Sequence, residues 1–184
     1  MKILVLSDQK GEKTGLKDVL LEILSEHQTA SVTLNYKNLK PCVGCYGCWI
    51  KTPGLCVFTE DSGNELCKQE MNSDAVVILS ELTYGGYSAD IKSFLDRMIS
   101  NISPFFKLSH KEMHHEMRYE RFPAWITIGY GKSTEEEKRL FTELNERNSR
   151  NLFAENQGAI TVENQEELRQ AKERILALLR GERQ

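Results

Sequence analysis

Four of the five cysteines in this 184-residue sequence, Cys42, Cys45, Cys48 and Cys56, fall in one short stretch with the spacing C-x2-C-x2-C-x7-C. Thiolates that close along one segment can ligate metal or run thiol redox chemistry. The first three recur at the compact interval by which a single segment wraps a [4Fe–4S] cube, and the fourth follows Thr52-Pro53-Gly54. Gly44 and Gly47 permit tight curvature and leave amides for the sulfurs. Zinc also accepts four thiolates, though more often from two separated knuckles. A thioredoxin-like pair needs only one C-x-x-C at a helix start, and unligated thiols are the plainest alternative. Cys67 stands apart on a helical pattern and reads as a small buried apolar residue.

Two other segments offer binding chemistry. Ser7-Asp8-Gln9-Lys10-Gly11-Glu12-Lys13-Thr14-Gly15 lies between an apolar run and a helical pattern, where amides, hydroxyls and a helix dipole can hold a phosphate. It has neither a Walker lysine pattern nor G-x-G-x-x-G, and a plainly capped helix start fits it as well. Thr83-Tyr84-Gly85-Gly86-Tyr87-Ser88 pairs adjacent glycines, which let backbone approach a flat ligand, with two tyrosine faces. The simpler reading is a Gly-Gly turn with surface aromatics. His114-His115, with His110 nearby, reads as a solvated loop or subunit contact rather than a metal site. Trp49 either shields a cluster or anchors an interface. Glu135-Glu136-Glu137 is a favourable helix start.

These segments are positioned by alternating strand and helix patterns. Ile3–Leu6 reads as a buried strand, and Leu16, Val19, Leu20, Ile23 and Leu24 recur at helical spacing. Val32, Leu34 and Tyr36 alternate as a second strand. Ala75–Leu79 is a third, followed by Ile91, Phe94, Leu95, Met98 and Ile99 on one helical face. Ala124–Ile128 precedes a helix capped at Ser133-Thr134 with Glu136 and Glu137. Gly158–Val162 precedes a last helix with Asn164 and Glu167 at its start and Gly181 at its stop. Alternation of this kind builds a parallel sheet covered on both faces. The expectation is a single α/β domain over 1–184: a flavodoxin-like, doubly wound five-stranded sheet of order 2-1-3-4-5. Two connections exceed plain turns, one at about 37–60 and one at about 103–122, and both are expected to be long loops. The loops at 7–15, 37–60, 80–88 and 129–134 would then all leave the carboxyl edge, where such sheets bind ligands, so the cysteines are expected beside any cofactor.

Composition narrows the function further. With 24 Lys+Arg against 27 Asp+Glu, the formal charge is −3, which gives no electrostatic reason to expect nucleic acid or an anionic membrane as partner. No apolar run approaches the roughly 20 residues of a membrane span. Met1-Lys2 runs straight into Ile3-Leu4-Val5-Leu6 with no cleavage site behind it, and the odd cysteine count argues against a disulfide framework. A cytoplasmic protein is expected.

Together Ile3–Leu24, Cys42–Cys56 and Thr83–Arg97 resemble the flavodoxin-fold NADPH-dependent FMN reductase superfamily. Cys42-Val-Gly-Cys-Tyr-Gly-Cys48-Trp49, with Cys56 after Thr52-Pro53-Gly54, resembles its iron–sulfur flavoprotein branch. The likeness implies an FMN phosphate at Ser7, Gln9, Lys13 and Thr14, and an isoalloxazine ring against Thr83, Tyr84, Gly85, Gly86 and Tyr87. Where the family's first loop carries Gly-Ser-Pro-Arg, this chain has Leu6-Ser7-Asp8-Gln9, without the arginine. One phosphate-sized loop and no second glycine-rich turn favour FMN over FAD. The implied activity is an FMN-dependent oxidoreductase with a [4Fe–4S] cluster on Cys42, Cys45, Cys48 and Cys56. NAD(P)H or ferredoxin would be donor and a quinone an acceptor, in a homodimer or higher homo-oligomer. Hydride transfer to flavin needs no acid–base dyad, so no catalytic side chain is assigned. A reductase without a cluster, a non-enzymatic electron carrier and a zinc-stabilised binding module are the rival readings.

Overall fold

Apolar residues occupy consecutive positions in the central strands because both faces of the sheet are covered. The computed structural model describes residues 1–109 and 111–182. β1 (Lys2–Asp8) runs directly into α1 (Gln9–Lys13) and α2 (Leu16–Ile23), followed by β2 (Gln28–Leu34). The cysteine segment carries the short helix α3 (Gly47–Ile50) and leads to α4 (Gly63–Met71) and β3 (Ala75–Glu81). α5 (Ala89–Arg97) continues into a 3-10 turn, Met98–Asn101, then β4 (Ile102–Ser109) and β5 (Glu112–Met117). The chain closes with β6 (Ala124–Tyr130), α6 (Glu135–Asn151), β7 (Gln157–Val162), α7 (Gln165–Gln170) and α8 (Lys172–Leu179).

The main sheet has order β2-β1-β3-β6-β7, all parallel. With its strands counted alone this is the expected 2-1-3-4-5 order. Ile3, Val5, Val77, Ile126 and Ile128 face α2, α7 and α8; Leu4, Leu6, Val76, Ile78 and Trp125 face α4, α5 and α6. The caps read from sequence are present. Thr134 and Glu137 close a capping box on α6, Asn164 caps α7, and Gly181 stops α8 at φ +76°.

Four expectations need correction. The 103–122 segment is not a plain loop: β4 and β5 pair as an antiparallel hairpin. Pro104 and the polar run around His114-His115 hide its alternation. Its packing also removes the solvated-loop reading of the histidines. His114 is buried, its ring nitrogens 2.8 Å from Asn151 Oδ1 and 3.2 Å from Glu112 Oε2, and the His115 ring pairs with the Ser103 carbonyl at 2.8 Å. His110 lies outside the described residues. Tyr36 falls beyond β2 and is exposed. The 7–15 segment is mostly helix rather than loop.

One packing contact carries a pH dependence. Glu70 of α4 is fully buried (0% exposed), and its Oε2 accepts a 2.7 Å hydrogen bond from Asn101 Nδ2 while Oε1 has no partner. Burial pushes its carboxyl up to about 8, against the lowering effect of Asn101. The fold therefore keeps the neutral acid, whereas the unfolded chain ionises it near 4.5. The contribution of Glu70 is intact below pH 4.5 and is lost progressively up to about 8, at roughly 1.4 kcal/mol per pH unit. Urea midpoints measured from pH 5 to 8 should fall more steeply for the wild type than for Glu70→Gln. Parallel profiles would mean that Glu70 is ionised in the folded protein.

Candidate functional site

The cysteine segment leaves β2 and is held by elements far from it in sequence. Cys42, Cys45, Cys48 and Cys56 all line one cavity, and Cys48 is the most buried of the four. Burial raises the Cys48 thiol above its ordinary value, and proximity to Cys56, Cys42 and Cys45 raises it further. The Gly44 amide lies 3.5 Å from Cys42 Sγ. Left-handed backbone at Tyr46 (φ 55°) opens α3, which carries Cys48. The segment is pinned at both ends and in the middle. Asn64 of α4 bonds both backbone groups of Cys56, at 2.7 and 3.0 Å. The Trp49 indole N–H donates to the carbonyls of Ile99 and Ile102, at 3.0 and 3.2 Å, so Trp49 anchors the loop to its own chain. Among the described residues no three His, Cys, Asp or Glu side chains converge tightly enough to hold a single metal ion.

Arg97, at the end of α5, ties this segment together. Its Nη1 donates to Asp61 Oδ2 at 2.6 Å and to the Lys40 carbonyl at 3.0 Å; Nη2 donates to Asp61 Oδ1 at 3.0 Å and to the Phe58 carbonyl at 3.5 Å. Both side chains of this ion pair are 2% exposed. A fork of this kind brackets the loop from before Cys42 to beyond Cys56. Against the cost of burial, the Arg97 hydrogen bonds and the amides of Lys40 and Gly63 hold the Asp61 carboxyl below its ordinary value. The guanidinium also explains a glycine: a Cβ on Gly63 would stand 2.2 Å from Arg97 Nη2. The pair was not legible in the sequence, because its members are 36 residues apart and neither belongs to a motif.

The first segment presents a different picture. Ser7 is buried in β1 beside the Thr33 hydroxyl at 3.3 Å. Asp8 Oδ1 accepts the Gly11 N–H at 2.8 Å and the Tyr130 hydroxyl; Oδ2 accepts the Glu81 N–H at 2.7 Å. Asp90 lies beside the Gln9 amide, and its own carboxyl is raised by burial and by Asp8. Thr14 Oγ1 donates back to the carbonyls of Lys10 and Gly11, and Lys13 is exposed. The start of α1 thus meets two of the chain's own carboxylates, Asp8 on the Gly11 amide and Asp90 beside Gln9.

Thr83–Gly86 forms a tight turn closed by reciprocal backbone bonds of 3.0 and 2.9 Å. Tyr84 (φ 51°) and Gly85 (φ 77°) both take positive φ, as a type I′ turn requires. The two tyrosines part company. Tyr84 is 90% exposed at the sheet's carboxyl edge, whereas Tyr87 is buried edge-on against Phe141 at 5.2 Å. Gly86 and Tyr87 line a second cavity with Ile99, which also lines the cysteine cavity. Ser88 at the start of α5 bonds Ser80 at the end of β3, but the cysteine cavity meets Arg97 at the other end of the helix, about 12 Å away by helical rise. No residue of 7–15 or 83–87 lines it among the described residues.

Comparison with known proteins places this geometry. No family model matches the chain. An iron–sulfur flavoprotein of Methanocaldococcus jannaschii is 31% identical over 102 residues, covering 53% of this chain and 51% of that protein. The chain spans about half the length, or less, of the curated relatives it matches. Among solved structures, an azoreductase of Bacillus anthracis superposes with a TM-score of 0.60 at 16% identity, covering 98% of this chain and 95% of that one. A candidate quinone reductase of Klebsiella pneumoniae reaches 0.72 at 12% identity, covering 99% and 86%. Iron–sulfur flavoproteins are therefore the sequence relatives of this chain, and its fold is flavodoxin-like.

The turn at 83–86 separates its two glycines. A Cβ on Gly85 would lie 2.9 Å from Leu140 Cβ, in left-handed backbone; a Cβ on Gly86 would only touch the Thr83 carbonyl at 3.5 Å. Gly85→Val should cost about 2–4 kcal/mol in urea unfolding, from strain and overpacking together. Gly86→Val should cost less. The reverse order would show that the turn is not type I′.

Proposed function

We propose that this chain is a flavin-dependent oxidoreductase carrying a [4Fe–4S] cluster on Cys42, Cys45, Cys48 and Cys56. The observation that supports it is four thiols around one cavity. A cube takes one thiolate at each iron corner, so its ligands should ring a cavity rather than meet at a point. The iron–sulfur flavoprotein relatives agree with this. When bound, a flavin accepts electrons as a hydride pair and a cluster passes them singly.

FMN is the flavin proposed, with its ring against Thr83, Tyr84, Gly85, Gly86 and Tyr87, where Tyr84 offers the free aromatic face. Ser7, Gln9, Lys13 and Thr14 would serve its phosphate only after Asp8 or Asp90 has released the α1 amides. The proposed donor is NAD(P)H or ferredoxin and the acceptor a quinone or a protein, with no nucleic acid or membrane as partner. Phe105, Phe106, Leu108 and Met113 expose apolar surface on the hairpin, which supports a homodimer or higher homo-oligomer, and the cytoplasm is the proposed compartment. No helix among the described residues is long and apolar enough to cross a membrane.

Anaerobic purification followed by iron, sulfide and flavin quantitation tests the reading. All three should be present. Replacing any one of Cys42, Cys45, Cys48 and Cys56 by Ala should strip most of the iron, while Cys67→Ala retains it. Flavin without iron or sulfide would leave a reductase with no cluster.

The phosphate placement has its own check, by fluorescence titration with FMN and with riboflavin. Asp90→Asn removes one of the two carboxylates competing for α1, so FMN affinity should rise several-fold while riboflavin affinity stays put. Equal changes for the two flavins would move the phosphate away from α1.

A further inference from the structure

Arg97 is the one charged side chain lining the cysteine cavity among the described residues. Four of its five N–H groups are used, on Asp61, Lys40 and Phe58, and the fifth is not. Its Nε is buried without a partner. An arginine whose fork is fully engaged seldom leaves Nε–H orphaned in the interior, because an unmade bond there costs about 1–3 kcal/mol. The cavity supplies what is missing. Its sulfur atoms, as thiolates or as the sulfide of a bound cluster, are acceptors. Arg97 lines the cavity and Asp61 does not, and the guanidinium lies close enough to Cys56 for the two to interact electrostatically.

We propose that Arg97 tunes the reduction potential of the group held by Cys42, Cys45, Cys48 and Cys56, with its guanidinium fixed at the cavity and Nε–H donating to a sulfur. The inference rests on the cluster reading above. A cluster bound by four thiolates is net negative and gains one more negative charge when it takes up an electron. A cation fixed beside it favours that reduced state, so the potential lies higher than it would without Arg97. Asp61 offsets part of the field while holding the guanidinium in place. The pair thus has two opposed effects on one potential, and a scaffold would have none.

Opposite signs make the test. Loaded protein is titrated anaerobically with dithionite as the one-electron donor, and the reduced cluster is counted by electron paramagnetic resonance at a fixed ambient potential. Asp61→Asn keeps the cation and removes its counter-charge, so the reduced-to-oxidised ratio should rise about tenfold. Arg97→Gln removes the cation and should lower the ratio about tenfold. Arg97→Lys keeps the charge and should stay near wild type. Shifts of the same sign, or none, overturn the inference while leaving the cluster in place. If Arg97→Gln does not fold, Asp61→Asn decides alone, an unchanged or lower ratio counting against the proposal. If Asp61→Asn folds but takes up no iron, the pair serves only to hold the loop, and the proposal fails. Wild-type protein that binds flavin but no iron or sulfide would sink the cluster reading itself, and this inference with it.

Discussion

The carboxylate of Asp8 ties the first turn of α1 to the ends of three neighbouring strands. It ends β1, caps α1 through Gly11, and takes the amide of Glu81 from β3 and the hydroxyl of Tyr130 from β6. Burial and this carboxylate push the Tyr130 hydroxyl far above its ordinary value, so it stays a donor. Three buried donors converge on one acceptor, and removing it would strand all three at about 1–3 kcal/mol each. The strand ends that open-sheet folds leave for a ligand are laced together here by the protein's own side chains.

The cysteine loop obeys a separate constraint. It is braced by helices rather than by the sheet, through Asn64 on α4, Arg97 at the end of α5 and the carbonyls that receive Trp49. Tyr46 stacks on Trp49 at 5.3 Å, Trp49 meets His115 at 5.1 Å, and His115 meets Phe106 at 4.4 Å. A continuous row of rings therefore runs from the thiol cavity to the hairpin. The same His115, with Gly86, Tyr87 and Ile99, lines a second cavity, and Ile99 lines the thiol cavity as well, so the two chemical regions adjoin.

Legibility in the sequence followed the range of the interactions. Strand order and caps were readable because apolar runs such as Ala75–Leu79 and the Thr134–Glu137 pair are local signals. The grouping of the four cysteines was readable because thiols on one segment carry their own spacing. The hairpin was not, since Pro104 and a polar second strand blur a period of two. Nor was the fate of Asp8. The sequence places an acid beside a helix start, but only the fold shows its oxygens taken by β3 and β6. The meeting of the cysteine segment with the end of α5 is likewise a tertiary fact with no motif.

The clamp on the cysteine loop bears on how the protein is assembled. Arg97, Asp61, Asn64 and Trp49 fix the loop through contacts among protein atoms alone. Small metallo-domains often need their metal in order to fold, because the ligands have no other reason to converge. Here helix contacts give the segment its path, so its folding is coupled to that of α4 and α5, and loosening either helix would scatter the four thiols at once.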